Sequence, residues 1–310
     1  MKRGILYIAM ALALILMWGC EKEIEFRGEE VDSKVVMNSM VYEDWNPVMV
    51  RLSYSKFFLS NDPIRFIDDA MVRMRKNDVP FVDGRLIEAG TYQFDITPKC
   101  GDSLYLEAET QQGEKVDART YVPYKATVSD IDITYAPTEF STPEYREYSY
   151  TLKFKLNDPK GVKNYYQIRM SMDREDASGA MVGRNTVFFD CDDPFLAESS
   201  GNILEEADHT MEKLQFSDDA IDGKDYQVKL TGEFYANFGN KAPTESFHLY
   251  MEIISLSKEA YLYLKTVDQS NNRGDNPFSE PVMIYGNVNN GIGIFGAMTP
   301  NRAHIKQIEE

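Results

Sequence analysis

Ser103-Leu104-Tyr105-Leu106-Glu107-Ala108-Glu109-Thr110 and Val116-Asp117-Ala118-Arg119-Thr120-Tyr121-Val122, joined through Gln111-Gln112-Gly113-Glu114, decide how the chain is read. In both runs apolar and polar residues alternate with a period of two, the pattern of a strand with one face in a core and the other in water. A short Gly-containing connection between two such runs predicts a β-hairpin. Working outward, the same alternation recurs at Lys34–Val41, Val48–Ser55, Ala70–Lys76 and Thr91–Ile96, punctuated by Asn77-Asp78, Asp83-Gly84, Gly90 and Gly101-Asp102. Six or seven strands within roughly a hundred residues predict an immunoglobulin-like or transthyretin-like β-sandwich over residues 34–123.

Pro123 interrupts the pattern, which then restarts. Strands are expected at Val128–Tyr135, Tyr150–Leu156, Asn164–Met172, Thr186–Asp190, Tyr226–Phe234 and Phe247–Leu256, with a turn at Asp158-Pro159-Lys160-Gly161 and a long loop over Cys191–Thr210. On Val128–Tyr135 the alternation places Ile131, Ile133 and Tyr135 on one face. One helix is expected near 258–269: Ser257 can cap it, Glu259 suits its first turn, and Tyr261, Leu264 and Val267 recur at helical spacing. The expected fold is therefore mainly β, an N-terminal sandwich followed by a second β-rich domain over 124–310. That domain carries one helix on its sheet and a Gly-rich return strand.

The first residues form a separate class of sequence. Lys2 and Arg3 precede an uncharged stretch from Gly4 to Gly19 that ends Leu16-Met17-Trp18-Gly19-Cys20. A basic start, a short apolar segment and a small residue before the cut describe a secretory signal over 1–19, too short to span a bilayer. The ending resembles a bacterial lipobox, which makes Cys20 the expected lipid attachment site and 20–33 a tether. Glu21-Lys22-Glu23-Ile24-Glu25 follows directly. Acidic residues there resemble the surface-export signal of Bacteroidota lipoproteins; a plain solvated tether would also be acidic. Cleavage takes two of the 33 basic residues and none of the 50 acidic ones, so the formal charge moves from −17 to −19. That acidity, with no Lys/Arg run longer than two, argues against nucleic acid as a partner.

Three cysteines exclude a disulfide-built scaffold and a multi-cysteine zinc fold. With Cys20 acylated, Cys100 and Cys191 are available for one bridge in an oxidising compartment, or stay free. Gly291-Ile292-Gly293-Ile294-Phe295-Gly296 spells a dinucleotide fingerprint, but only 14 residues follow it, too few for a βαβ unit. Its glycines read instead as close backbone approach in a strand. Asp190, Asp192 and Asp193 form one acidic cluster and Asp218, Asp219, Asp222 and Asp225 another. Neither has the spacing of a calcium loop, so solvated turns are favoured over a metal site. His209, His248 and His304 are the only histidines and sit in no metalloprotease motif, and neither a nucleophile elbow nor a C-x-x-C is present. No cofactor is expected. Tyr42, Trp45, Tyr54, Phe57 and Phe58 are the aromatic group with the best claim to exposure.

The C-terminal third is the most distinctive. It contains Ser257-Lys258-Glu259-Ala260-Tyr261-Leu262-Tyr263-Leu264, Asn276-Pro277-Phe278-Ser279-Glu280-Pro281, Ile284-Tyr285-Gly286-Asn287-Val288 and Asn290 through Ala297. With Asn164-Tyr165-Tyr166, Phe216-Ser217-Asp218 and Asp222-Gly223-Lys224, this order resembles a Bacteroidota outer-membrane lipoprotein family catalogued as domain of unknown function 4249. The resemblance implies an outer-membrane location and a TonB-dependent receptor as partner, and carries over no catalytic residue. The expectation is a lipid-anchored, surface-exposed, non-enzymatic accessory or ligand-binding partner of a TonB-dependent transport system. A structural or adhesion lipoprotein is the alternative, and an envelope hydrolase using scattered carboxylates is less favoured.

Overall fold

The structure is a computed structural model that describes residues 32–57, 60–196, 210–240, 245–273 and 282–308. The expected signal peptide, Cys20 and the tether up to residue 31 lie outside the described residues, as do Phe58 and His209. The first eight strands are β1 (Val35–Tyr42), β2 (Val48–Tyr54), β3 (Met71–Lys76), β4 (Val82–Asp83), β5 (Arg85–Glu88), β6 (Thr91–Phe94), β7 (Ser103–Glu109) and β8 (Lys115–Tyr121). Then come β9 (Thr127–Pro137), β10 (Tyr145–Asn157), β11 (Tyr165–Glu175), β12 (Met181–Val187), β13 (Phe189–Asp190), β14 (Lys213–Ser217), β15 (Asp225–Asn237) and β16 (Ser246–Leu256). Helix α1 (Lys258–Arg273) and β17 (Ile292–Ile308) close the chain. Among the described residues no helix is long and apolar enough to cross a membrane.

The β7–β8 hairpin forms where the alternation places it, Ser103 opposite Tyr121 and Glu109 opposite Lys115. Leu104, Leu106 and Ala108 face inward with Val116 and Ala118. Gly113 supplies the positive φ (83°) that its turn requires, and its N–H reaches Thr110 O at 2.9 Å. One long sheet runs in the order β12-β11-β16-β17-β1-β2-β6-β5, with β14 also on β11. Two four-stranded sheets pack against its two ends. β4-β3-β7-β8 covers β17, β1, β2 and β6 around Met37, Leu52, Met74, Phe94, Leu106 and Phe295, while β13-β15-β10-β9 covers β11, β14 and β16 around Phe154, Ile168, Phe189, Phe216, Leu230 and Phe234. The protein is thus mainly β and sandwich-like, with one long helix among the described residues.

Strand β17 runs across the line drawn at residue 123. Its first seven residues, Ile292–Met298, pair in parallel with Val36–Tyr42 of β1, and Met298–Ile308 pair antiparallel with β16. Phe295 and Ala297 are thereby part of the N-terminal core. The linker is tied to the same strand: Thr299 Oγ1 donates to Pro123 O (2.7 Å) and Asn301 Nδ2 to Ala126 O (2.8 Å). Ser257, 4% exposed, caps α1 by accepting from Ala260 N (3.2 Å). The same hydroxyl accepts from Ala297 N (3.1 Å), beside the point where β17 changes partner. Asn287 engages both backbone groups of Phe295 and also donates to Arg119 O, all at 2.8–2.9 Å. The glycine run earns its place sterically. Gly293 sits at φ 122°, where a Cβ would lie 2.2 Å from Met37 O, and at Gly296 a Cβ would lie 3.0 Å from both Ala260 Cβ and Met40 Sδ, where α1 packs down.

Two expectations change, and one left open is decided. Ile131 is 39% exposed, because Asp130 takes φ 51° and the β9–β10 register shifts between Lys153 and Lys155; Val128, Ile133 and Tyr135 are the residues that pack on the core. The helix extends to Arg273. The cysteines do not bridge: Cys100 lies 3.6 Å from Glu43 Oε1 and Cys191 is buried in the second core, both as free thiols that burial pushes above the usual range.

One buried ion cluster belongs to the main sheet's outer face. Asp173, fully buried on β11, receives two hydrogen bonds from Arg184 (2.9 and 2.7 Å), one from Arg302 (2.5 Å) and one from Ser171 (2.9 Å). Burial opposes its charge, but these donors outweigh burial and hold its carboxyl below the ordinary value.

Gly293→Ala is expected to cost more than about 2 kcal/mol in urea unfolding, since the new Cβ must part β17 from β1. Ser257→Ala should cost roughly 2–3 kcal/mol, a lost cap plus the stranded Ala297 N–H. Asp173→Asn should destabilise at neutral pH by roughly 1–3 kcal/mol, less than a fully buried pair because both arginines reach solvent. The depressed carboxyl contributes above about pH 4 and loses its contribution as pH falls through its lowered folded value, so the melting difference should narrow as the pH is brought down from about 4.

Candidate functional site

A cleft of about 790 Å³ opens on the outer face of the β13-β15-β10-β9 sheet. Because Leu152 and Phe154, Leu230 and Phe234, and Ile133 fill the core side, the intervening positions point outward. These are Thr134 and Ala136 on β9, Ser149 and Thr151 on β10, and Thr231, Glu233 and Tyr235 on β15. The registers set Thr134, Thr151, Thr231 and Asp190 in one row across all four strands, and Ala136, Ser149 and Glu233 in the next. At a strand spacing of ~4.8 Å the first row is about 14 Å long.

The side wall comes from the chain crossing between sheets. Val187 still pairs with Met170 of the long sheet, while Phe189 pairs with Gly232 of the small one. Phe188 between them lines the cleft and is 50% exposed. Gly232 permits this crossing, since a Cβ there would lie 2.7 Å from Phe188 O. Beneath it the Tyr150 hydroxyl reaches Phe188 O (3.4 Å) and Met170 Sδ (3.3 Å); burial lifts this phenol far above its usual range, so it remains a neutral donor. At the other end the Tyr235 ring, 43% exposed, stacks on Tyr145 with centroids 5.7 Å apart and planes 23° from parallel.

The chemistry of this lining is specific in kind. Six short hydroxyl side chains can each donate and accept, two carboxylates accept, and aromatic rings offer flat apolar surface. Asp190 and Glu233 are the charged groups among the described lining residues, so an anionic ligand is disfavoured. No histidine, cysteine or lysine is among them, and the Ser149 hydroxyl turns to Ala136 O (3.5 Å). A hydroxyl nucleophile held by a histidine or lysine base is therefore not found among the described lining residues.

Most residues singled out from sequence go elsewhere. Asp190 enters the cleft, but Asp193 caps the following turn and accepts from Tyr226 OH (2.5 Å), whose phenol burial and this contact raise to about 12. Asp192 pairs with Lys229 at 3.7 Å. In the second cluster, Asp218 and Asp222 meet Asp158 from the 158–161 turn, one oxygen of each within 4.8 Å of the others. These carboxylates already hold Tyr166 OH, Gly223 N, Lys163 Nζ, Asn164 N and Gly161 N, a junction of two turns rather than an open cage. Asp219 pairs with Lys163, and Asp225 accepts from Asn157 (2.7 Å). Trp45 is 66% exposed at the tip beyond Tyr42, whereas Tyr54 is half-buried under Arg65. His248 and His304 come together on the outer face of the long sheet. The threonine row escaped sequence reading because it exists only across strand registers. The outward placement of its members was readable from the alternation.

No curated protein matches the sequence. Among solved structures, one from work on the promiscuous specificity of carbohydrate-binding modules of the β-sandwich superfamily is similar over 67% of this chain and 96% of its own, at 10% identity and a TM-score of 0.22. Residues 21–303 match the family described as Domain of unknown function (DUF4249), nearly the whole sequence after Cys20, and the chain belongs to that family.

Proposed function

We propose that this protein is a lipid-anchored envelope protein that captures a neutral, hydroxyl-rich ligand, a glycan, in the cleft of its second sandwich. It does so as a non-enzymatic accessory of a TonB-dependent transport system. The observation that carries the ligand class is the row Thr134, Thr151, Thr231 and Asp190, with exposed Tyr235 and Phe188 at its margins. A sugar presents hydroxyls around a ring whose C–H face is apolar, and hydroxyls beside aromatic rings match both parts. The acidic lining favours uncharged glycans over sulfated or uronic ones. Gly19-Cys20 and the acidic run after it support anchoring at Cys20 in the outer membrane and display at the cell surface. The partner class rests on the family resemblance.

A glycan array probed with the mature chain should give neutral oligosaccharide hits, each weakened about tenfold or more, some 1.4 kcal/mol, by Tyr235→Ala. Binding confined to anionic glycans, or indifferent to Tyr235→Ala, would remove the cleft from the proposal. Because Asp190 and Glu233 share the cleft, the same incubations should be analysed for shortened products, whose appearance would make a hydrolase of it. Detergent extraction should co-purify a β-barrel receptor, and protease added to intact cells should digest the chain. Protection from that protease would overturn surface display.

A further inference from the structure

Two of the three histidines in this 310-residue chain converge, although they are 56 positions apart. On β16, Ser246, His248 and Tyr250 share the outer face while Phe247, Leu249 and Met251 are buried. On β17 the register shifts between the partners of Leu249 and Tyr250: Lys306 lies opposite Leu249 and His304 opposite Tyr250. Ile305 is the extra residue and packs on the core, which turns His304 out beside His248. His248 Nδ1 and His304 Nε2 are 3.0 Å apart.

The groups behind His248 are arranged as metal-bound imidazoles require. Its Nε2 lies 2.7 Å from Ser246 Oγ and 3.9 Å from Glu175 Oε2. Glu175 is held in turn by the Tyr250 hydroxyl at 2.5 Å. The Ser246 hydroxyl can accept from Nε2–H, with the Glu175 charge close by, and that tautomer leaves the Nδ1 lone pair toward His304. Arg302, on the same face, is already engaged: it stacks on the Tyr250 ring at 3.7 Å and binds Asp173.

We propose that His248 Nδ1 and His304 Nε2 form a binding site for a borderline divalent transition-metal ion of the nickel or copper type. With metal–nitrogen bonds near 2.0–2.1 Å, nitrogens 3.0 Å apart subtend roughly 90°. That is the angle between neighbouring ligands in octahedral or square-planar coordination, and a tetrahedral ion would want about 3.3–3.4 Å. To bind, each ring turns slightly so that the lone pairs converge, and neutral His304 carries its proton on Nδ1 instead. No further acid or base is needed. Water completes the shell, Glu175 and Ser246 remain outside it, and the ion fastens the distal part of β17 to β16.

Isothermal titration of the detergent-extracted mature chain with NiCl₂ tests this. One equivalent is expected to bind and to raise the melting temperature. His304→Gln and His248→Ala should each weaken binding tenfold or more, and Asp222→Asn, in the exposed part of the carboxylate junction, should leave it unchanged. Melting curves without metal verify that each variant is folded. On the unaltered chain, Cu²⁺ should show nitrogen hyperfine structure from two imidazoles. An oxygen-only signature, no stoichiometric Ni²⁺ binding, or binding that survives His304→Gln would overturn the proposal.

Discussion

The parallel pairing of Val36–Tyr42 with Ile292–Met298 is the constraint on which the rest of the molecule depends. It joins the first strand to the last, and at Met298 the same strand passes to β16. Neither sandwich can close its sheet alone: the first lacks a strand and two core residues without β17, and the second lacks an edge partner for β16. Such a contact spans some 250 residues and gains nothing until most of the chain is in place, which makes it expensive in loop-closure entropy. The polar groups gathered there offset that cost. Ser257, Asn287, Thr299 and Asn301 each satisfy backbone groups around β17, in a region where an orphaned N–H would cost about 1–3 kcal/mol.

The two outer faces differ in character because their inner faces do not. Both are alternate positions on strands whose other side fills one core, so burial sets which residues point out but leaves their chemistry free. On the small sheet those positions hold hydroxyls and rings and form a cleft whose charged lining residues are Asp190 and Glu233. On the long sheet they hold Asp173 with its two arginines, and then Tyr250, Glu175 and the paired histidines, a dense network of charge and hydrogen bonds. The first face suits a neutral ligand with many weak partners. The second suits an ion.

Acidic residues are distributed accordingly. The 50 carboxylates of the sequence do not mark one acidic site. Asp158, Asp193 and Asp218 hold turns, Asp173 is neutralised inside the sheet, and Asp190 and Glu233 face the cleft. The same residue type does structural work wherever backbone N–H groups converge on it.

By itself the sequence determined the strands. The hairpin at 103–122, β1 to β3, β6, and β9 to β11 lie within a few residues of where alternation puts them, because a half-buried strand must repeat every two residues. It determined the Ser257 cap and the start of the helix for an equally local reason. Ile131 departed because a bulge at Asp130 breaks the count, and a bulge leaves no mark on hydrophobic period. Tertiary structure decided everything that depends on which strand lies beside which. The double role of β17, the threonine row, the Asp158–Asp218–Asp222 junction and the meeting of His248 with His304 all arise from long-range register. A parallel or distant pairing has no turn to announce it, so its partners are chosen by the assembled core and not by their neighbours in the chain.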